Sequence, residues 1–186
     1  MINLEKIKEF AQKSYDDANC KYNDGNYFIH INMVVDTLNN HMNIFCNHND
    51  FINTLAACYT HDLLEDAKKS YNDIKIISNK DVVDITLAVT DVPAENRLMR
   101  HLLTMGKTVR DYRAIILKMC DMLANAQYSK EHNSSMYKKY VEEYEYRKPI
   151  FKKALTWYKD NLDMDEVEKL WVILDYIHNN KNINNL

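Results

Sequence analysis

Apolar residues recur every three or four positions along most of the chain, the spacing that brings side chains to one face of an α-helix. Leu4, Ile7 and Phe10 follow this pattern and predict a first helix that ends at about residue 19. Val167 and Leu170 belong to the last repeat, which ends at about residue 178. Between them the pattern predicts helices that begin near residues 27 and 50 and that cover about residues 81–89, 94–105, 108–129 and 134–160.

Residues typical of helix caps and turns mark where several of the predicted helices begin or end. Ser70-Tyr71-Asn72-Asp73 resembles a capping box with Asp in place of Glu, and it predicts a short helix at that point. Asp50 is the predicted N-cap of the third helix. Asp24-Gly25 predicts a turn within the loop of residues 21–26, and Asp91-Val92-Pro93 ends the helix before it.

The chain has 186 residues but two Gly and two Pro, so it offers little material for tight turns. We therefore expect an all-α fold, a single-domain helical bundle of about 8–9 helices that covers residues 1–178. Residues 179–186 are polar and are expected to form a frayed tail.

Composition and charge exclude several classes of protein. The net charge of −3 argues against a nucleic-acid partner, because such domains usually carry a basic surplus. No apolar run reaches the roughly 18 residues that span a bilayer, and the first residues lack a signal-peptide pattern. Cys58 and Cys120 lie in apolar helical patterns and are predicted to be buried thiols of a cytoplasmic protein. The oligomeric state stays open.

The segment His61-Asp62-Leu63-Leu64-Glu65-Asp66 carries the most chemical information. On a helix, His61 and Asp62 would point about 100° apart, so both could touch one metal ion. Glu65 and Asp66 would lie one turn later, along the same edge. A solvated helix face is the alternative, but the flanking residues are apolar, and charged groups there need a partner or a metal.

His30 and Asp121 are two further potential ligands, because each interrupts an apolar helical pattern. Taken singly, His30 could be a core histidine and Asp121 a buried cap or ion-pair partner. Together with His61 and Asp62 they form a set of two imidazoles and two carboxylates that suits Mn²⁺, Fe²⁺ or Zn²⁺. The sequence therefore predicts a divalent metal site.

These elements resemble the HD phosphohydrolase superfamily, and most closely the hydrolase domain of the Rel/SpoT homologues, including the small alarmone hydrolases. The most specific match is His61 to Ala67, which resembles the family's His-Asp-x-x-Glu-Asp-Thr. Four other segments resemble the Pro-Tyr-Ile-x-His, Val-Thr-Asp, Lys-Leu-Ala-Asp-x-Leu-x-Asn and Val-x-Glu-Tyr elements: residues 27–30, 88–91, 118–125 and 141–144. The resemblance covers about residues 8–160.

The resemblance implies an all-helical fold, Mn²⁺ as cofactor (Fe²⁺, Zn²⁺ or Co²⁺ being other options) and removal of the 3′-pyrophosphate from guanosine tetra- or pentaphosphate. Residue by residue, it implies that Glu65 and Asp66 orient the attacking water. It also implies that Lys21, Asn125 and Tyr144 contact the nucleotide. The chain departs from the family before His30, where the Arg-Lys pair is reduced to Lys21 and the proline is missing.

A run of basic residues is the predicted site for the remaining phosphates of the substrate. An ordinary solvated helix face is the alternative. The run contains one acid, Asp111, among its cations: Arg97, Arg100, Lys107, Arg110, Arg113 and Lys118.

Two other functions are weighed against alarmone hydrolysis. An HD-type nucleotidase or deoxynucleoside triphosphate phosphohydrolase would use the same metal ligands, and a substrate screen separates it. A catalytically inactive nucleotide-binding or antitoxin-like module is the second alternative, although each ligand position and the positions of the predicted general base are filled. In every case the expected partner is a small molecule rather than a membrane or a nucleic acid.

Overall fold

The computed structural model describes residues 2–23, 25–132 and 134–179. Within these residues it contains nine α-helices and one short antiparallel hairpin, which confirms the predicted all-α class. The strands are β1 (Lys21–Tyr22) and β2 (Gly25–Asn26). The helices are α1 (Leu4–Asp17), α2 (Phe28–Asn40), α3 (His48–Thr60), α4 (Tyr71–Ile77), α5 (Lys80–Val89), α6 (Arg97–Thr108), α7 (Tyr112–Glu131), α8 (Met136–Leu155) and α9 (Met164–Asn179).

Side-chain caps start most of these helices. The predicted capping box is present at α4, where Ser70 and Asp73 each accept a backbone N–H of the other. The cap predicted for the third helix was wrong. Asn47 accepts from the backbone N–H of Asn49 and starts α3 there, which leaves Asp50 in the first turn.

The hydrophobic core centres on α7, which packs against α2, α3, α5, α8 and α9. Ile115, Ile116 and Leu117 point in three different directions and are all fully buried, so the helix is enclosed by the core on every side at this point. Asp121 is buried on the same helix and is a charged exception that needs a partner. None of the described helices is long and apolar enough to cross a membrane.

Two local predictions need correction or completion. Helix α3 ends at Thr60, and residues 61–66 form hydrogen-bonded turns rather than a further stretch of helix. The reason is a change in hydrogen bonding, since Leu63 N–H donates to the Thr60 carbonyl in a tighter turn. The loop of residues 21–26 contains the β1–β2 hairpin, while Asp24 and residues 180–186 of the predicted tail lie outside the described part of the chain.

Candidate metal centre

Three segments that are distant in sequence bring four side chains to one point. His30 comes from α2, His61 and Asp62 follow the end of α3, and Asp121 comes from α7. The two Nε2 atoms of His30 and His61 lie 3.2 Å apart. Asp62 Oδ2 lies 3.0 Å from His61 Nε2 and 3.6 Å from His30 Nε2, and Asp121 Oδ1 lies 3.3 Å from His30 Nε2.

The backbone sets the orientation of one of these imidazoles. His61 Nδ1 lies 2.9 Å from the carbonyl oxygen of Cys58, so Nδ1 carries the proton and donates. The Nε2 lone pair of His61 therefore points at His30 and the two carboxylates. Because His61 Nε2 can only accept, the short contact between the two rings needs either an N–H of His30 or a cation bound by both nitrogens.

The donor set fits a divalent cation. Burial alone would lower the pKa of His30, but hydrogen bonds to Asp121 and Asp62 raise it to about 9. The pKa values of Asp62 and Asp121 both lie well below the ordinary value: burial opposes this, but it is outweighed by the imidazoles and, at Asp121, by Lys118. The centre is therefore built for positive charge, and nitrogen and oxygen donors in this ratio suit Mn²⁺, Fe²⁺ or Zn²⁺.

A second layer of hydrogen bonds holds the carboxylates. The Tyr27 hydroxyl lies 2.6 Å from both Asp62 Oδ2 and Asp66 Oδ2. Asn125 Nδ2 donates to Asp121 Oδ1 at 2.6 Å, and the Tyr22 hydroxyl donates to Asn125 Oδ1 at 3.0 Å. Such outer contacts fix the direction in which a ligand presents its oxygen.

Glu65 lies beside this centre and lines the same cavity. Its Oε1 accepts the backbone N–H of Asp91 at 2.7 Å, which explains why the Val-Thr-Asp segment lies next to the site. Burial raises the pKa of Glu65 to about 7, against the opposing effect of that hydrogen bond. A carboxylate with such a pKa suits proton transfer near neutral pH.

The cavity has a volume of about 260 Å³ and is lined by two chemically different sets of residues. The acidic set contains His30, Asp62, Glu65 and Asp121. The cavity is also lined by basic and aromatic residues: Arg97, Lys118, Arg147, Tyr22 and Tyr140. Lys118 and Tyr22 contact the metal ligands themselves, whereas Arg97 and Arg147 bind Glu143. An anionic ligand that carries two charged groups fits this cavity, because one group can lie at the metal ligands and the other near the basic residues.

Comparison with known proteins finds a match in fold but none from the searches by sequence. No protein-family model and no curated protein matches the chain. Among solved structures, a metazoan orthologue of SpoT that hydrolyses ppGpp and plays a role in starvation responses matches with a TM-score of 0.65. The match covers 94% of each chain at 19% identity. The chain has an alarmone-hydrolase-like fold of the HD type.

Within this HD-type fold, Arg97 and Lys118 of the predicted basic run line the cavity. Lys118 Nζ lies 2.8 Å from Asp121 Oδ2. The other cations of the run do not line it, so only part of the predicted basic cluster lies at the cavity. The run spans two helices, and four of its cations are not among the residues that line the cavity: Arg100, Lys107, Arg110 and Arg113.

Arg113, one of these other cations, binds carboxylates that do not line the cavity. Its guanidinium contacts Asp50, Asp81 and Asp111, which makes it a tie between α3, α5 and the start of α7. Arg100 lies 3.7 Å from Asp91. Arg113 is therefore neutralised within the protein, whereas Arg100 lies beside a carboxylate that itself lines the cavity.

Tyr144 and Lys21 do not reach the cavity, which corrects their predicted role as substrate contacts. Tyr144 is buried between α8 and α9, where its hydroxyl donates to Asp175 at 2.7 Å and its ring stacks on His178. Lys21 is exposed because side chains alternate along β1, so Tyr22 points inward and Lys21 outward. Asn125 lines the cavity. Asp66 is not among the lining residues, and its carboxylate accepts a hydrogen bond from the Tyr27 hydroxyl.

Sequence reasoning missed the pair Glu143 and Arg147 on α8. Glu143 is buried and binds Arg97 through its Oε1, while Arg147 Nη2 lies 3.3 Å from its Oε2. One turn of helix separates Glu143 from Arg147, a spacing that also occurs on solvated helix faces. No other feature of the sequence indicates that this carboxylate holds two guanidinium groups beside the cavity.

Proposed function

We propose that this protein is a metal-dependent phosphohydrolase that removes the 3′-pyrophosphate from guanosine tetra- or pentaphosphate, or from a related pyrophosphorylated nucleotide. The observation that carries the proposal is the convergence of His30, His61, Asp62 and Asp121 next to Glu65. The HD-type fold supports it, because the metazoan SpoT orthologue with that fold hydrolyses ppGpp.

A bound divalent ion, Mn²⁺ in our proposal, would lower the pKa of water and offset phosphate charge in the transition state. Glu65 accepts the proton of the attacking water, because it faces the cavity with a pKa of about 7. Asp66 and Tyr27 form the hydrogen-bonded support of Asp62 and keep its oxygen directed at the centre. Water adds to the 3′-attached phosphorus as the bond to the 3′ oxygen breaks.

The basic residues of the cavity bind the phosphates that are not cleaved. Arg97 and Arg147 share one counter-ion, Glu143, so their corner of the cavity keeps a net positive charge. Burial, followed by the effect of Arg147 and Arg97, lowers the pKa of His101 to about 3, so this neighbour stays neutral. Bonds from arginine to phosphate are charge-assisted and among the stronger hydrogen bonds in proteins.

Phosphorus NMR of guanosine 3′,5′-bis-diphosphate incubated with the protein and Mn²⁺ tests the proposal. We expect inorganic pyrophosphate and GDP in equal amounts, with no product from the Asp62→Ala variant. Release of orthophosphate, or turnover of deoxynucleoside mono- or triphosphates instead, would assign the protein to the nucleotidase alternative. Binding of the nucleotide without any product would identify the inactive module.

A further inference from the structure

Helix α6 has its polar and apolar faces reversed. A surface helix normally turns its apolar stripe towards the core. The buried residues of α6 are instead His101, Thr104, Met105 and Thr108, three of which are polar. Its outer face presents four large apolar side chains that are between 41% and 52% exposed: Leu98, Met99, Leu102 and Leu103.

This outer face is apolar and has space above it. Gly106 continues the row of Leu98 and Leu102 at four-residue spacing, and a Cβ added to Gly106 would meet nothing within 4 Å. At the end of α6, Val109 leads into a groove that is also lined by Ile150 and by the exposed Trp157. Contiguous exposed apolar surface of this kind marks an interaction site.

The charges on α6 are directed away from this face. The helix has no acidic residue, and its cations have acceptors within their own chain. Arg97 binds Glu143, Arg100 lies 3.7 Å from Asp91, and Lys107 donates to the Leu87 carbonyl. A surface meant for an anionic lipid or an acidic helix would leave such cations unpaired beside the apolar row.

We propose that this face pairs with the same face of a second copy, with the two α6 helices antiparallel about a twofold axis at Leu102. A twofold interface must be self-complementary. Leu98 and Gly106 lie on either side of Leu102, each about 6 Å along the helix axis. Antiparallel pairing therefore places Leu98 opposite Gly106 of the partner subunit, a large side chain over open space.

Sedimentation equilibrium of the full chain tests this dimer, which is independent of the hydrolase proposal. We expect a reversible dimer at micromolar concentrations. Leu102→Glu brings two carboxylates together at the axis and should weaken association by about a hundredfold or more. Gly106→Gln fills the space needed by Leu98 of the partner subunit and should also dissociate the dimer. In the monomer its side chain meets open space, so at concentrations too low for association the variant should unfold at no lower temperature than the parent.

Ile76 supplies the matched control, because it is 80% exposed and lies on α4, outside this face. Ile76→Glu should leave the association constant unchanged. In a Cys46→Ser background, Leu102→Cys should cross-link two chains under mild oxidation, and Ile76→Cys should not. A chain that stays monomeric, or a dimer that is insensitive to both Leu102→Glu and Gly106→Gln, overturns the proposal. Binding of a monomer to phosphatidylserine vesicles through this face overturns it in favour of a lipid surface.

Discussion

Asp62 and Glu65 face the same cavity but have different neighbours. Asp62 lies within 3.6 Å of both imidazoles, whereas Glu65 is held by the Asp91 backbone. We expect Asp62→Ala to lose both bound Mn²⁺ and turnover. Glu65→Gln should keep the metal and lose about 10²–10⁴-fold in kcat, the usual contribution of a positioned general base. Metal analysis and initial rates check both, and a Glu65→Gln variant with the parent rate contradicts the role of Glu65.

The pKa of Glu65 predicts a pH profile. Burial raises this pKa to about 7, and a general base acts in its ionised form. The rate should therefore fall about tenfold per pH unit below that pKa and level off above it. Steady-state kcat between mildly acidic and mildly basic pH measures this. Glu65→Gln should lose the inflection, and a variant that retains it would move the titration to another group.

Arg147 should govern affinity more than chemistry. Arg147 lines the same cavity as the metal ligands, and its guanidinium is oriented by Glu143. Arg147→Gln should raise KM about ten- to hundredfold, with a smaller change in kcat, because it removes a charge-assisted bond to phosphate. Arg110→Gln is the matched control, since Arg110 is exposed and does not line the cavity. Equal effects of the two substitutions would count against a phosphate contact at Arg147.

At the scale of elements, apolar periodicity predicted the helices well because most of them pack an apolar face against the core. Helix α6 shows the same periodicity, although its apolar face is turned outward. Their ends were harder to predict, since a nearby polar side chain decides them. Asn47 starts α3 ahead of the predicted Asp50, and a tighter turn ends it at Thr60. The β1–β2 hairpin is two residues long on each side, too short for a strand pattern to appear in the sequence.

The capping box of α4 is a local feature that can be tested in isolation. Ser70 accepts the Asp73 N–H, and Asp73 accepts the Ser70 N–H, at the start of a helix of seven residues. Ser70→Ala should lower the free energy of unfolding by about 1 kcal/mol. Urea unfolding measures this, with Ser70→Thr as the variant that keeps the cap. An unchanged midpoint for Ser70→Ala would mean that packing alone holds α4.

At the scale of the whole molecule, the sequence indicated which residues could bind a metal but not which cations would face it. His30 and Asp121 could be predicted because a charged or imidazole group inside an apolar helix needs a partner. Arg147, Tyr22 and Tyr140 could not, because their spacing also fits a solvated face. The packing of α6, α7 and α8 decides which of their residues meet in one cavity. Local sequence patterns do not predict that packing.

In our proposal, α2, the turn after α3, and α7 meet to hold one divalent cation. The most direct measurement is an anomalous difference map from crystals grown with Mn²⁺. We expect one strong peak, with the ligand nitrogen and oxygen atoms of His30, His61, Asp62 and Asp121 about 2.0–2.3 Å from it. A map without a peak between these four side chains, or with its strongest peak at other residues, would contradict this proposal.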